Sequence, residues 1–439
     1  MGILIKIIQL LLSLTILVFI HELGHFTFAK IFKIRVDKFF LFFDIGGKAL
    51  WRHKPKKSDT EYGMGWVPLG GYCKISGMVD ESLAYEGLES EPQPWEFRSR
   101  PIIQRFLVLI GGVLFNVLLA TLIYGGLAYH WGTERLPLKN IGDNIIYSSV
   151  GHQMGLEDGD QLLEVDGKPL VYFEGTLLQD IANGEELTIL RDGHRMDIAI
   201  PIDLMRAVLA SKEPFFMLDM PARIDSIVAG SAAQSTGLQK GDLIVGVNGI
   251  RSNKISKIMP AIKELRGDSL TLTIERQGEE IDIHTYADPE NGIGIAFVSP
   301  NKIFVTEKQT YNLVEAIPAG ISQAHRQLVN YADQLKYVAT PEGAQSLGGL
   351  GTMGSLFPST FDWRAFWSMT AFLSIILAVM NILPIPGLDG GHLLFLLYEA
   401  ITRRKPSLKW QTRLQIIGMA LLIILVLYAN INDVIRFLF

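Results

Sequence analysis

The sequence predicts a polytopic α-helical membrane protein with four transmembrane helices and a large extracytoplasmic segment holding two tandem α+β domains. Three observations predict it. The chain has 439 residues, too many for one small domain, and 49% of them are hydrophobic. Apolar runs at residues 3–28, 106–129, 366–383 and 414–428 have the length of membrane-spanning helices. Between the second and third runs, GLEDGDQLLEVDG (155–167) recurs as GLQKGDLIVGVNG (237–249), a repeat of roughly 80 residues, the size of a small domain rather than a solenoid unit.

Basic residues set the orientation. Lysine and arginine crowd the connection between the first two runs, from Lys30 to Arg105, and the short connection between the last two, at Arg403, Arg404, Lys405, Lys409 and Arg413. Both connections are expected on the cytoplasmic side, which puts the repeats and both termini on the other. A secretory signal is the competing reading of the first run, after Lys6; no small-residue cleavage pattern follows, and HELGH stands where one would be. The net charge of −5 comes from interspersed charges, so no nucleic-acid partner is expected. The single cysteine, Cys73, excludes an internal disulfide and a paired-thiolate metal site.

In each repeat a glycine turn leads into an apolar strand that ends at Asp166-Gly167 or Asn248-Gly249, dipeptides that favour two-residue hairpins. The GLxxGD pattern resembles tandem PDZ domains of bacterial envelope proteases. Such domains bind extended peptide or protein segments by strand addition; a spacer that filters by size what reaches the membrane is the alternative. Residues 303–338 have apolar positions at helical spacing (Val314, Ile317, Ile321, Leu328, Tyr331, Leu335, Val338), expected as an amphipathic helix on the lipid bilayer or against the repeats. Residues 340–355, rich in glycine, are expected as a flexible connection.

The chemistry is expected at HELGH, residues 21–25. On a helix His21 and His25 lie four residues apart and project from one face, so both imidazoles can bind one tetrahedral Zn2+, while Glu22 can act on a bound water without being a ligand. Ionisable groups at membrane depth are costly, which argues against mere packing. Zinc needs a third protein ligand. The candidates are Asp389 and His392 in NILPIPGLDGGH (381–392), where Pro384 and Pro386 break the third run and Gly387, Gly390 and Gly391 allow a close turn.

With HELGH, LDG after a proline-interrupted span, and PDZ-like repeats between them, the chain resembles the site-2 protease family of intramembrane zinc metalloproteases, above all the Gram-negative branch acting in envelope stress. The resemblance implies that Asp389 is the third ligand. It implies that PLGGY (68–72) is a membrane-re-entrant β-hairpin whose Gly70, Gly71 and Tyr72 meet the substrate, and that Asn116 of GGVLFN and Asn381 also bind substrate; Val113 stands where a proline is common. It further implies cleavage of transmembrane segments of single-pass proteins, anti-sigma factors and remnant signal peptides among them, in a multi-pass protein of the bacterial inner membrane. The repeats would then be periplasmic and the active site near the cytoplasmic side.

The expected organisation is a first transmembrane helix with HExxH at 1–30, a cytoplasmic loop with the hairpin at 31–104, and a second transmembrane helix at 105–130. PDZ-like domains follow at 131–215 and 216–300, then the amphipathic helix and linker at 301–363, the third transmembrane helix with LDG at 364–400 and the fourth at 401–439. Two rivals are a PDZ scaffold with a structural metal site, to which Glu22 would be useless, and a divalent-metal transporter, for which the large repeats have no purpose.

Overall fold

In the computed structural model, residues 2–78, 91–211, 213–289, 292–338 and 340–438 are described, so part of the expected 31–104 loop and two residues of the expected 216–300 domain lie outside them. Four helices among the described residues are long and apolar enough to cross a membrane. The chain divides into two compact units, Met1–Gly132 with Thr310–Phe439, and Thr133–Gln309.

The first unit is built around helix α2 (Ile102–Trp131). Helix α1 (Gly2–Ile31) and the third apolar helix (Trp363–Ile382) pack on it. The α1 and α2 backbones meet at Gly24 and Gly111, where a Cβ on Gly24 would collide with the Gly111 carbonyl. Glycine at both positions is what lets the two helices cross this closely. After α1 the chain forms strands β1 (Val36–Phe43), β2 (Ala49–His53), β3 (Glu61–Gly65) and β4 (Val67–Ile75), ordered β2-β3-β1-β4, with β1 parallel to β3 and antiparallel to β4. β4, which carries PLGGY, is thus an edge strand, and it lies along α1.

One expectation for this unit needs correction and two others gain detail. The helix Leu313–Val338, here called the linker helix, packs along α2 through its buried small residues Ala316, Gly320 and Ala324, while Val314, Ile317 and Ile321 remain exposed. A Cβ on Gly320 would stand 2.6 Å from the Thr121 carbonyl oxygen, so only a small-residue seam permits this approach, and apolar periodicity does not distinguish lipid from another helix. The 340–355 connection is not a loose glycine chain. It forms helices Pro341–Ser346 and Leu350–Ser355, docked on the fourth apolar helix (Leu408–Leu438) by the buried Asp433, which accepts bonds from the Gly349 and Thr352 amides at 3.0 and 2.8 Å. Finally, residues 364–400 are two helices, broken where Pro384 and Pro386 are expected to break them. The third apolar helix ends at Ile382, and after the Pro384–Pro386 break a new helix, Asp389–Thr402, begins.

In the second unit the repeats have matching strand orders. Lys168–Pro169, Gln161–Val165, Glu186–Arg191 and His194–Ala199 pair in that order in the first; Ile250–Arg251, Leu243–Val247, Ser269–Arg276 and Glu279–Tyr286 in the second. Both hairpins turn with two positive φ values, 49° and 71° at Asp166-Gly167 and 46° and 83° at Asn248-Gly249, as their sequences require. The aspartate of each GLxxGD has the same work. Asp160 takes the Glu157 amide at 2.8 Å and the fork of Arg191, and Asp242 takes the Gln239 amide at 2.8 Å and the fork of Arg276. The repeats have separate cores. The expected boundary at 215/216 moves: Phe216–Leu218 pairs with Ile145–Tyr147 and packs in the first core, while the second core begins at Ala222.

Candidate metal centre

The i, i+4 spacing in α1 brings His21 and His25 to one buried face, with ring centroids 4.7 Å apart. Their Nε2 atoms are 3.1 Å from each other. Asp389, the first residue of its helix, points its Oδ2 at both, 3.1 Å from His21 Nε2 and 3.3 Å from His25 Nε2. Three glycines allow that approach. Gly387 has φ 101°, a Cβ on Gly390 would collide with the Leu383 carbonyl, and one on Gly391 would lie 2.6 Å from the Ile385 oxygen. Gly418 of the fourth apolar helix makes room for Pro386 in the same way. His392, the other candidate ligand, points elsewhere, its Nε2 3.1 Å from the Gln415 amide nitrogen.

The donor set fits zinc. Ligands about 2.0–2.1 Å from a tetrahedral zinc are separated by roughly 3.3 Å, and the three edges here are 3.1, 3.1 and 3.3 Å. Asp389 Oδ2 is buried and makes no well-formed hydrogen bond despite its two close nitrogens, an acceptor whose lone pairs await something else. His25 Nδ1 lies 2.8 Å from the Val108 carbonyl oxygen, which fixes Nδ1 as the protonated nitrogen and leaves the Nε2 lone pair facing the centre. Among the described residues this is the one cluster of three such side chains able to hold a metal ion.

Glu22 is half-buried next to His21 on α1. Asn381 is half-buried, its Nδ2 3.4 Å from His21 Nε2. Asn116 is fully buried, its Nδ2 3.1 Å from His21 Nδ1 and its carbonyl oxygen bound by the Ser374 hydroxyl at 2.8 Å. Gly70, Gly71 and Tyr72 lie in β4, outside the cluster. A Cβ on Gly71 would lie 3.3 Å from Val18, one turn before Glu22, so this stretch of strand runs beside the reactive turn of α1. The Tyr72 ring stacks on its sheet neighbours Phe40 and Phe43, with its hydroxyl donating to Asp44 at 2.7 Å.

Sequence reasoning singled out Gly112 only as part of the GGVLFN motif and missed a second support altogether. Gly112 makes the space for the imidazoles, since a Cβ there would stand 2.5 Å from His21 Cε1 and 2.6 Å from His25 Nε2. The buried, bidentate pair Arg105–Glu399, at 2.9 and 2.7 Å, ties α2 to the helix that begins with Asp389. Its signal was readable, namely one charge of each sign inside apolar helices.

The sequence profile of peptidase family M50 matches residues 9–425. Similar relatives include the Regulator of sigma E protease of Haemophilus influenzae, 28% identical over 97% of this chain and 98% of its own, and Protease RseP of Yersinia pestis, 29% identical over 99% of each. A Vibrio cholerae protein whose name carries the words zinc metalloprotease is 26% identical over 98% of both chains.

Proposed function

Because the chain belongs to peptidase family M50 and is a zinc metalloprotease with apolar helices that place it in a membrane, we propose that it cuts peptide bonds inside transmembrane segments at a centre formed by His21, Glu22, His25 and Asp389. The observation that carries this reading is the convergence of three ligand atoms beside a half-buried glutamate on a helix apolar enough to span the bilayer. Zinc, when bound, supplies Lewis acidity for the scissile carbonyl and makes water acidic enough to be activated near neutral pH. His21, His25 and Asp389 hold it. Glu22 takes the proton of the attacking water and delivers it to the leaving amide nitrogen, so one carboxylate serves both half-steps.

A transmembrane helix hides its carbonyls in its own hydrogen bonds, so the substrate must unwind before it can react. The outer edge of β4, at Gly70 and Gly71, offers backbone partners to the unwound stretch, and its course beside α1 brings that stretch to Glu22. Tyr72 shapes this edge from within the sheet. The Asn381 amide faces the centre and holds the substrate backbone against it.

The basic residues of the connections between the first two and the last two apolar helices support four spans with those connections in the cytoplasm, the centre near that face, and the repeats in the periplasm of an inner-membrane protein. The name of the Haemophilus influenzae relative gives that protein a role in sigma E regulation; from it we infer a single-pass substrate of anti-sigma type for this chain, and remnant signal peptides present the same chemistry. The matching strand orders support two PDZ-like domains that take an extended peptide segment.

The test is cleavage in proteoliposomes of a single-pass substrate with and without a helix-breaking residue near its centre. The expected result is faster cleavage of the helix-broken substrate and none by His25→Ala or Asp389→Ala. Equal cleavage by those variants would contradict the reading.

A further inference from the structure

The two histidines of the centre are supported unequally. His25 has a backbone carbonyl, Val108, on its Nδ1. His21 has the Asn116 side chain, which is completely buried. As it stands, the Asn116 amide nitrogen faces His21 Nδ1 at 3.1 Å, and its Oδ1 is buried without any hydrogen-bond partner. That is the arrangement of a histidine whose proton is on Nε2, because an N–H donating to Nδ1 needs a lone pair there. A His21 that ligates through Nε2 must carry its proton on Nδ1 and needs an acceptor at that place. A half-turn of the carboxamide exchanges nitrogen for oxygen at almost no change in shape. It would put the orphaned Oδ1 on the Nδ1–H.

We propose that Asn116 is the positioning residue of the ligand His21: in the zinc-loaded protein its Oδ1 accepts from His21 Nδ1–H, fixing the tautomer and ring plane that aim Nε2 at the metal. The proposal rests on His21 being a ligand, as argued above. It gives Asn116 a task other than the substrate contact implied by resemblance, and its complete burial behind the imidazole is the reason. Its place is itself held, since Ser374 of the third apolar helix donates to its backbone carbonyl at 2.8 Å. The motif spacing then has a physical meaning: Gly112 clears the space for the rings, and Asn116, one turn later on α2, secures one of them. The Gly112 carbonyl also lies beside His21 and is the rival acceptor.

Zinc affinity of the purified full chain, measured by chelator competition, decides the matter, with metal-free melting temperature recorded alongside. Asn116→Leu keeps the volume and removes the acceptor, so affinity should fall about 10- to 100-fold. Asn116→Asp keeps an acceptor at the same reach and should bind zinc at least as tightly as wild type. Asn116→Ser, too short to reach Nδ1, should behave as leucine does and serves if the leucine variant does not fold. Wild-type zinc affinity in both leucine and serine variants, with only melting temperature or KM altered, would overturn the proposal in favour of the Gly112 carbonyl, simple packing or a substrate contact. His21→Ala is the reference. If it leaves zinc affinity intact, the ligand assignment itself fails, and that outcome is distinct from a failure of Asn116 alone.

Discussion

At the scale of single residues, the metal centre depends as much on what is missing as on what is present. Gly112 carries no chemistry, yet a methyl group there would sit 2.5 Å from His21 and 2.6 Å from His25. Gly112→Ala should therefore displace an imidazole at a cost of about 1–3 kcal/mol of overpacking. We expect reduced zinc content by metal analysis, whereas Gly126→Ala, at a position on the same helix with open space around it, should leave zinc content at the wild-type level. The metal-binding pattern of HELGH and the ambiguity between Asp389 and His392 were both legible in sequence. The choice of Asp389 came from the family resemblance and not from the residues themselves, since it depends on the turn at Gly387 and on Gln415 of another helix receiving His392.

At the scale of elements, the helix that begins with Asp389 is short and follows a proline break, so its orientation must be set by contacts rather than continuity. The Arg105–Glu399 pair is a buried, two-bond contact of this kind. Removing one member leaves a buried charge unpaired, at a cost of about 3–5 kcal/mol, whereas replacing both by apolar residues of similar volume can be close to neutral. Glu399→Leu alone should lower thermal stability and activity together, and the double variant Arg105→Met with Glu399→Leu should recover most of the stability; a double variant no better than the single one would contradict the pairing argument. The 340–355 segment makes a second case. With Asp433 holding the Gly349 and Thr352 amides, Asp433→Leu should expose that segment to limited proteolysis faster than wild type. The lone charges of the first case are visible inside apolar helices, but neither pairing could be read from the chain, because each joins residues far apart in sequence, 294 positions in the first case. Helix existence and the proline break were legible because they are local. The linker helix shows the limit of periodicity, which reveals an apolar face but not whether lipid, the repeats or α2 will cover it.

At the scale of the whole molecule, the chain joins an apolar helical unit to a second unit in which one strand order is made twice. The repeat was legible because each copy needs the same two left-handed turn residues and the same buried aspartate to catch its arginine. The second unit also has an acid dependence. The Glu185 and Glu186 amides hold the Asp166 carboxyl below its usual range, and Lys302 and Lys240 do the same for Asp225. A carboxyl depressed on folding contributes stability that is fully present above its unfolded value, ~3.9, and is lost as pH falls through the folded one. The calorimetric melting temperature of this unit should then be level from neutral pH to about 5 and drop below about 4; Asp166→Asn should shrink the acid drop.

The central claim is that Glu22 is the proton carrier of a zinc centre built by its neighbours. Glu22→Gln, purified in membranes, tests it most directly when zinc content and cleavage of a transmembrane substrate are measured on the same sample. The account predicts zinc at the wild-type ratio and no cleavage. Cleavage at the wild-type rate by the zinc-loaded variant would contradict it.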